Sequence, residues 1–430
     1  MSGGAPDPKP TQDALPTFDL PTLPRLFDRI SDTLLKRGQL GLLSITVIQR
    51  GSPEQSAGWK GYEAIVGEIS AFLDGFRRDQ MREGDRLFGP SVSGNAFVLL
   101  LDPPRADRLL GQADVRRVQS RIRQALGSHL VSHLPREIFE QFGCYVGGSL
   151  MHYDPSVKLE RIVYRTLEDA FADALQDKER EQRRSTGALR RILRTGLVHA
   201  VYQPIIDLEK RRVIGYEALT RLTHGQFDTV ELLFKTAHEA DALWNLERLC
   251  RRKALEGLPP ITDQQHLFLN IEPDSIHDPE LRDLPFQDLL EGVGLRPSQV
   301  VLEITEHSAV RDFGAFRQRL KHFRERGFQL ALDDVGSGYS GLQAITEIAP
   351  DYIKVDMTLV RDIHTNLIKK ELIATIHRFA VSTGITLIAE GVEKREELGA
   401  LRDAGVRYAQ GYLFARPEAP PGMPDLSALD

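Results

Sequence analysis

The chain has 430 residues, 41% hydrophobic and 27% charged, the proportions of a folded protein of two or three domains rather than of a disordered chain. Its 55 basic and 61 acidic residues leave a formal net charge of −6, which argues against a general nucleic-acid coat. Two cysteines, Cys144 and Cys250, exclude a disulfide framework and a thiolate zinc cluster. The longest apolar run, 96–101, is far below the roughly 18 residues that span a bilayer, and no basic patch followed by an apolar stretch opens the chain. The expectation is a cytoplasmic protein with no membrane span.

Prolines 6, 8, 10, 16 and 21 predict a flexible arm over 1–21. Leu26, Phe27, Ile30, Leu34 and Leu35 recur at helical spacing, and the apolar run 40–48 reads as a strand. A helix follows over 62–77, with Ile65, Ile69, Phe72, Leu73 and Phe76 on one stripe. A buried strand over 97–101, a helix over 109–126 and a strand over 144–151 complete a compact α/β domain, 22–153. A connecting helix is expected over 154–185, with Asp154 as its cap, Pro155 in its first turn, and Leu159, Val163, Leu167, Phe171 and Leu175 along one face. The arginines near its end (Arg183, Arg184, Arg190, Arg191, Arg194) read as a solvated face, because acidic residues are interleaved; a surface for nucleic acid or lipid head groups is the other reading.

From Val198 onward the pattern becomes repetitive. Apolar stretches at 201–206, 213–219, 267–271, 300–304, 328–332, 352–355, 385–389 and 408–414 are mostly separated by segments of helical spacing. Their number and span predict a (β/α)₈ barrel over 186–430. A doubly wound open sheet is the competitor, weakened by the absence of a glycine-rich phosphate turn after the first strand.

The stretches run into polar residues. Val213–Tyr216 runs into Glu217, Leu267–Leu269 into Asn270, Val300–Leu302 into Glu303, Phe328–Leu332 into Asp333-Asp334 and Ile385–Ala389 into Glu390, while Lys354 sits inside the sixth stretch and Gln410 lies in the last. Each alone reads as a helix cap or a solvated loop residue. In a parallel barrel all of them share one rim, where five carboxylates repel unless cations neutralise them. Oxygen donors without cysteine or histidine favour Mg²⁺ or Mn²⁺ over zinc, and adjacent aspartates let one carboxylate bridge two ions, an arrangement suited to phosphodiester hydrolysis.

These residues also resemble a family. Glu217-Ala218-Leu219-Thr220-Arg221 is similar to the signature of EAL-domain cyclic-di-GMP phosphodiesterases. The likeness extends to Tyr202-Gln203-Pro204-Ile205, Asn270, Glu303-Ile304-Thr305-Glu306, Asp333-Asp334-Val335-Gly336-Ser337-Gly338-Tyr339-Ser340, Lys354-Val355-Asp356, Glu390-Gly391-Val392-Glu393 and Gln410-Gly411-Tyr412, spanning 190–417. The resemblance implies hydrolysis of cyclic di-GMP to linear pGpG with two divalent cations, Mg²⁺ or Mn²⁺. It implies that Glu217, Asn270, Glu303 and Asp333 hold one ion and that Asp333, Asp334 and Glu390 hold the other, with Gln410 nearby. Lys354, Glu390 and Glu217 then form the catalytic set, with Lys354 orienting the attacking water or the phosphate. Gln203, Arg221 and Gln410 look like substrate contacts, Glu306 like the glutamate that steadies the loop after Asp334, and Glu393 like a carboxylate supporting the ligands. That loop often contributes to dimers in the family, so a homodimer is expected, with Gly336, Gly338 and Gly341 giving it mobility. Val335 stands where the family usually has phenylalanine, which predicts altered loop order without loss of a ligand.

The front domain fits the same context. Ser93-Gly94-Asn95-Ala96-Phe97 resembles a degenerate GGDEF turn in which Asn95 and Ala96 replace two acidic residues, which implies a regulatory domain without cyclase activity. GTP or a protein is its expected partner. Arg82-Glu83-Gly84-Asp85 resembles the family's inhibitory Arg-x-x-Asp site, against the plainer reading of an exposed charged turn. Two alternatives to the enzyme stand beside it: a receptor that binds the dinucleotide without turnover, and an interaction scaffold.

Overall fold

The computed structural model describes residues 27–49, 58–89, 96–103, 109–134, 138, 141–223, 225–282, 284–305, 313–336 and 341–429. The arm 1–21, Ser93-Gly94-Asn95, Glu306, and Ser337 to Ser340 lie outside them. The chain divides into two compact units, Met1–Arg184 and Ser185–Asp430.

The first unit is built on strands β1 (Gln39–Gln49), β2 (Arg86–Phe88), β3 (Ala96–Leu101) and β4 (Phe142–His152), ordered β2-β3-β1-β4 with every pair antiparallel. Successive strand side chains point to opposite faces, and the sequence uses both. Leu43, Ile45, Val47, Phe97, Leu99 and Leu101 pack with helices Gly58–Gln80 and Gln112–His133. Leu40, Leu42, Val98 and Leu100 pack on the other face with helices Phe27–Arg37 and Leu159–Thr195. The order βαββαβ is that of the ferredoxin-like split motif. Strand β2 was not legible, because three residues carry no period.

Helix Leu159–Thr195 differs from expectation at its start, at its end, ten residues past 185, and in its packed face. Asp154 accepts from the Ser156 amide and hydroxyl at 2.9 and 2.6 Å, so it closes a turn ahead of the helix instead of capping it. The buried stripe is Val163, Ala170 and Ala174, while Phe171 and Leu175 remain 38% and 39% exposed. Small residues face the sheet because the helix runs against Gly147, where an added Cβ would lie 1.9 Å from the Ala170 carbonyl oxygen and 2.3 Å from the Ala174 amide nitrogen. Backbone atoms of a helix cannot step aside. Gly147→Val is therefore expected to destabilise the first unit by about 3 kcal/mol, read from its denaturant midpoint; an unchanged midpoint would contradict this packing.

Arg82, Glu83 and Gly84 form an exposed turn, as the plainer reading expects, but Asp85 does not share its exposure. Asp85 is buried and accepts the amides of Arg82 and Asp102 at 3.0 and 2.8 Å, while the Arg82 guanidinium donates to the Asp102 carbonyl at 3.2 Å. The pair ties two chain segments together.

The second unit is a closed eight-stranded barrel in the order β10-β11-β12-β5-β6-β7-β8-β9. Its strands are β5 (Val198–Asp207), β6 (Arg212–Leu222), β7 (His266–Asn270), β8 (Val300–Thr305), β9 (Gln329–Val335), β10 (Tyr352–Val355), β11 (Thr386–Ala389) and β12 (Tyr408–Ala409). All eight expected stretches supply strands, with the last cut to two residues. One departure from the all-parallel expectation is that β5 runs antiparallel to both β6 and β12. Only residues 208–211 join β5 to β6, enough for a hairpin and far too few for the crossover that a parallel pair needs.

Period-two alternation positions the site. Phe268, Val301, Ala331, Tyr352 and Ile388, with Ile205, form a buried apolar cluster inside the barrel. Two residues further along the same strands or at their ends stand Asn270, Glu303, Asp333, Lys354 and Glu390. The polar side chains thus form a layer directly above an apolar floor. Among the described residues, no helix is long and apolar enough to cross a membrane.

Candidate metal-binding and catalytic site

Glu217 lies inside β6, not at its end, because the strand continues to Leu222. Its carboxylate is buried, as are those of Glu303 and Asp333. Lys354, fully buried, stands among them: its Nζ is 2.6 Å from Glu390, 2.8 Å from Glu303, 3.2 Å from Asp333 and 3.4 Å from Glu217. One ammonium faces four carboxylates. Despite these distances, Lys354 Nζ, both Glu303 oxygens and Asp333 Oδ1 have no hydrogen-bond partner of proper alignment. Buried polar atoms are nearly always satisfied, so oxygens gathered and left over mark a place for a further ligand.

The titration behaviour follows from this crowding. Burial, opposed by Lys354, pushes the Glu303 and Glu390 carboxyls well above the usual range, and Asp333 is raised for the same reason. Burial also acts on Glu217, but the Lys354 ammonium and the Gln410 and Asn270 amides outweigh it and hold its carboxyl below the usual value. Burial opposes charge on Lys354, yet the surrounding carboxylates raise its pKa well above normal. Lys354 is therefore a fixed cation over the ordinary pH range.

Amides steady the ring from one side. Asn270 donates to Glu217 at 3.1 Å; Gln410 donates to Gln203 at 2.9 Å and also to Glu217; Gln203 donates to the Ala415 carbonyl at 3.1 Å. Gln203 and Gln410 are buried, so in this geometry they hold Glu217 instead of facing a substrate. Gln410 is fixed in turn by Gly411, where a Cβ would lie 2.1 Å from the Val392 carbonyl oxygen. Gly411→Ala is expected to displace Gln410 and lower both stability and any activity at the ring, which thermal unfolding and turnover would record together.

Asp333, Asp334 and Glu390 offer ligand oxygens that all lie within 4.8 Å of one another. Asp334 takes φ 59°, the left-handed region that costs a non-glycine residue roughly 1–2 kcal/mol. Hard oxygen donors gathered without a thiol suit a divalent cation such as Mg²⁺ or Mn²⁺, and the Glu303 and Asp333 oxygens that lack hydrogen bonds fit that group.

Two expected residues stand apart from this layer. Arg221, at the far end of β6, donates to the Thr220 carbonyl at 2.9 Å. Glu393 is exposed, with Arg361 3.9 Å away, and touches none of the four carboxylates; its following turn is instead held by buried Glu397, which accepts the Glu393 and Lys394 amides. Gly336, at φ +104°, is pressed against Leu359, and Gly341 opens helix Gly341–Ile348.

Residues 186–417 match the EAL domain. The chain is 33% identical over 247 residues to the cyclic di-GMP phosphodiesterase RocR of Pseudomonas aeruginosa, covering 55% of this chain and 60% of that protein. It is 30% identical over 254 residues to an uncharacterized signaling protein of Caulobacter vibrioides, covering 57% of this chain and 31% of the relative. The crystal structure of the Xanthomonas citri FimX EAL domain in complex with c-diGMP aligns with 56% of this chain and 96% of its own at 24% identity and a TM-score of 0.50, a likeness of fold. Other curated relatives are matched over as little as 31% of their length.

Proposed function

The chain belongs to the EAL-domain family through residues 186–417, and from that premise we propose that its barrel hydrolyses cyclic di-GMP to linear pGpG with the aid of two divalent cations, Mg²⁺ or Mn²⁺. The observation that carries this reading is the ring in which the Lys354 ammonium meets Glu217, Glu303, Asp333 and Glu390 while Glu303 Oε2 has neither an ion pair nor a hydrogen bond among the described residues. Glu217, Asn270, Glu303 and Asp333 would hold one ion, and Asp333, Asp334 and Glu390 the other. When bound, the ions supply charge neutralisation at the phosphoryl oxygens and activation of water.

The chain's own residues do the rest. Lys354 offers a fixed positive charge to the scissile phosphate or the attacking water. Glu390 and Glu217, next to it, orient that water and accept its hydrogen bonds. Gln410 and Gln203 keep Glu217 in one rotamer, and Arg221, at the strand end, is assigned to the substrate. Purified chain with cyclic di-GMP and Mg²⁺ or Mn²⁺ is expected to release pGpG, and Glu217→Ala and Asp333→Asn each to abolish it. Binding without product would favour a receptor; product at an undiminished rate from both variants would reject the assignment.

The front unit, 22–153 with its connecting helix 154–185, is assigned as a GGDEF-like regulatory domain that works by dimerising or by binding GTP or a protein. The βαββαβ order and the residues Asn95 and Ala96 support that assignment. Incubation of the full chain with GTP should give no cyclic di-GMP, while added GTP alters the hydrolysis rate; a cyclised product would overturn the inactive reading.

A further inference from the structure

Helix Leu243–Glu256 carries a buried polar assembly beside the ring. Glu247 and Arg251 are 3% and 4% exposed, and Asp278 is fully buried. One Glu247 oxygen accepts the Glu272 amide at 2.7 Å, and the other accepts the Arg251 guanidinium at 2.7 Å. Arg251 reaches on to Asp278 at 2.7 Å, which also accepts from Arg248 at 3.1 Å and from the Glu280 amide at 2.9 Å.

Apolar side chains of similar volume often pack as stably as a buried ion pair, so the pair's value lies in what it holds. It holds the backbone two residues beyond Asn270. The Ile271 amide is bound to the Glu303 carbonyl at 2.9 Å, and the next amide, that of Glu272, is bound to Glu247. Beyond them come only short helical turns, Pro273–His277 and Pro279–Arg282, each opening on a proline that lacks a donor. Asn270 itself is exposed and uncharged. A neutral amide gains little Coulomb attraction to a cation, so its contribution depends on being held in place beforehand.

We propose that Glu247 is a positioning residue for the cation-binding ring: by clamping the Glu272 amide, it keeps Asn270 in register beside Glu217 and Glu303. The proposal rests on the divalent-cation reading of that ring. It makes the outer helix part of the metal site, although no side chain of the helix reaches the carboxylates.

The test measures Mn²⁺ binding directly, by calorimetry on the full chain, alongside the denaturant midpoint of the chelated protein. Glu247→Ala is expected to weaken Mn²⁺ binding about tenfold, the low end for residues that orient a ligand. In an Asn270→Ala background the same change is expected to weaken it no further, because the ligand it positions is gone. Glu247→Gln keeps the volume and one acceptor and should fall between parent and alanine. If the alanine variant does not fold, the glutamine variant decides by the same comparison. Parent-like affinity in a folded Glu247 variant, or equal weakening in both backgrounds, overturns the clamp while leaving the metal site intact. A parent chain that binds no Mn²⁺ rejects the metal reading and the clamp with it.

Discussion

Replacing Lys354 by methionine is expected to cut the proposed cyclic-di-GMP hydrolysis about a hundredfold to a thousandfold and to lower the stability of the metal-free chain by about 3–5 kcal/mol. Methionine keeps an unbranched apolar stem close to that of lysine and removes the ammonium. In the metal-free ring that charge is the counter-ion within 3.4 Å of four carboxylates, three of them buried and Glu390 half-buried. Without it the carboxylates must take up protons or repel one another across a few ångströms. Divalent cations would then fill a ring with no resident ammonium, so Mn²⁺ should raise the melting temperature of the variant by more than it raises that of the parent. Activity and stability thus separate: metal restores the second and not the first. If the chelated Lys354→Met chain melts where the parent does, the ammonium is not neutralising the ring, and the electrostatic reading of the site fails.

Much of the barrel was legible because its strands are short apolar runs at regular spacing, each followed by a polar residue. Alternation then did more than periodicity alone promised. The inward positions Phe268, Val301, Ala331, Tyr352 and Ile388 are apolar, and the next inward positions are the candidate ligands and Lys354. Strand direction was not legible at β5, since an apolar run reads the same both ways; only the length of the 208–211 connection reveals the hairpin. The amide chain from Ala415 through Gln203 and Gln410 to Glu217 was also hidden, because it joins residues about 200 positions apart.

The same limit applies to two pairs of helical residues. Glu247 and Arg251 are four apart on a helix, the spacing of an ordinary surface ion pair, and nothing local distinguishes a buried pair from an exposed one. Phe171 and Leu175 read as core because they are large and apolar, whereas the close approach at Gly147 admits only Ala170 and Ala174. In both cases a neighbouring element decides, and that neighbour is distant in sequence.

Without divalent cations, stability should depend on pH in an unusual direction. Glu303, Glu390 and Asp333 have folded-state pKa values raised above normal, chiefly by burial, so between the ordinary carboxylate values near 4 and their raised ones the folded chain binds more protons than the unfolded chain. Stability from these groups is complete below the unfolded values and is lost as pH rises through the folded ones. Glu217 is shifted down, so its contribution is lost only on acidification, and Lys354 is shifted up from an already high value, so it stays charged throughout. Between pH 5 and 8 the raised ring carboxylates therefore add to the slope, together with Glu247, whose carboxyl burial pushes up to about 7, at about 1.4 kcal/mol per pH unit for each excess proton. Chelated chain is expected to show a denaturant midpoint that falls across this range. Saturating Mn²⁺ should flatten or reverse the trend, because cations take the ionised carboxylates and their affinity grows as protons leave. A chelated midpoint that stays level or rises from pH 5 to 8 would mean that the ring carboxylates are ionised in the absence of metal, with Lys354 alone sufficient to balance them.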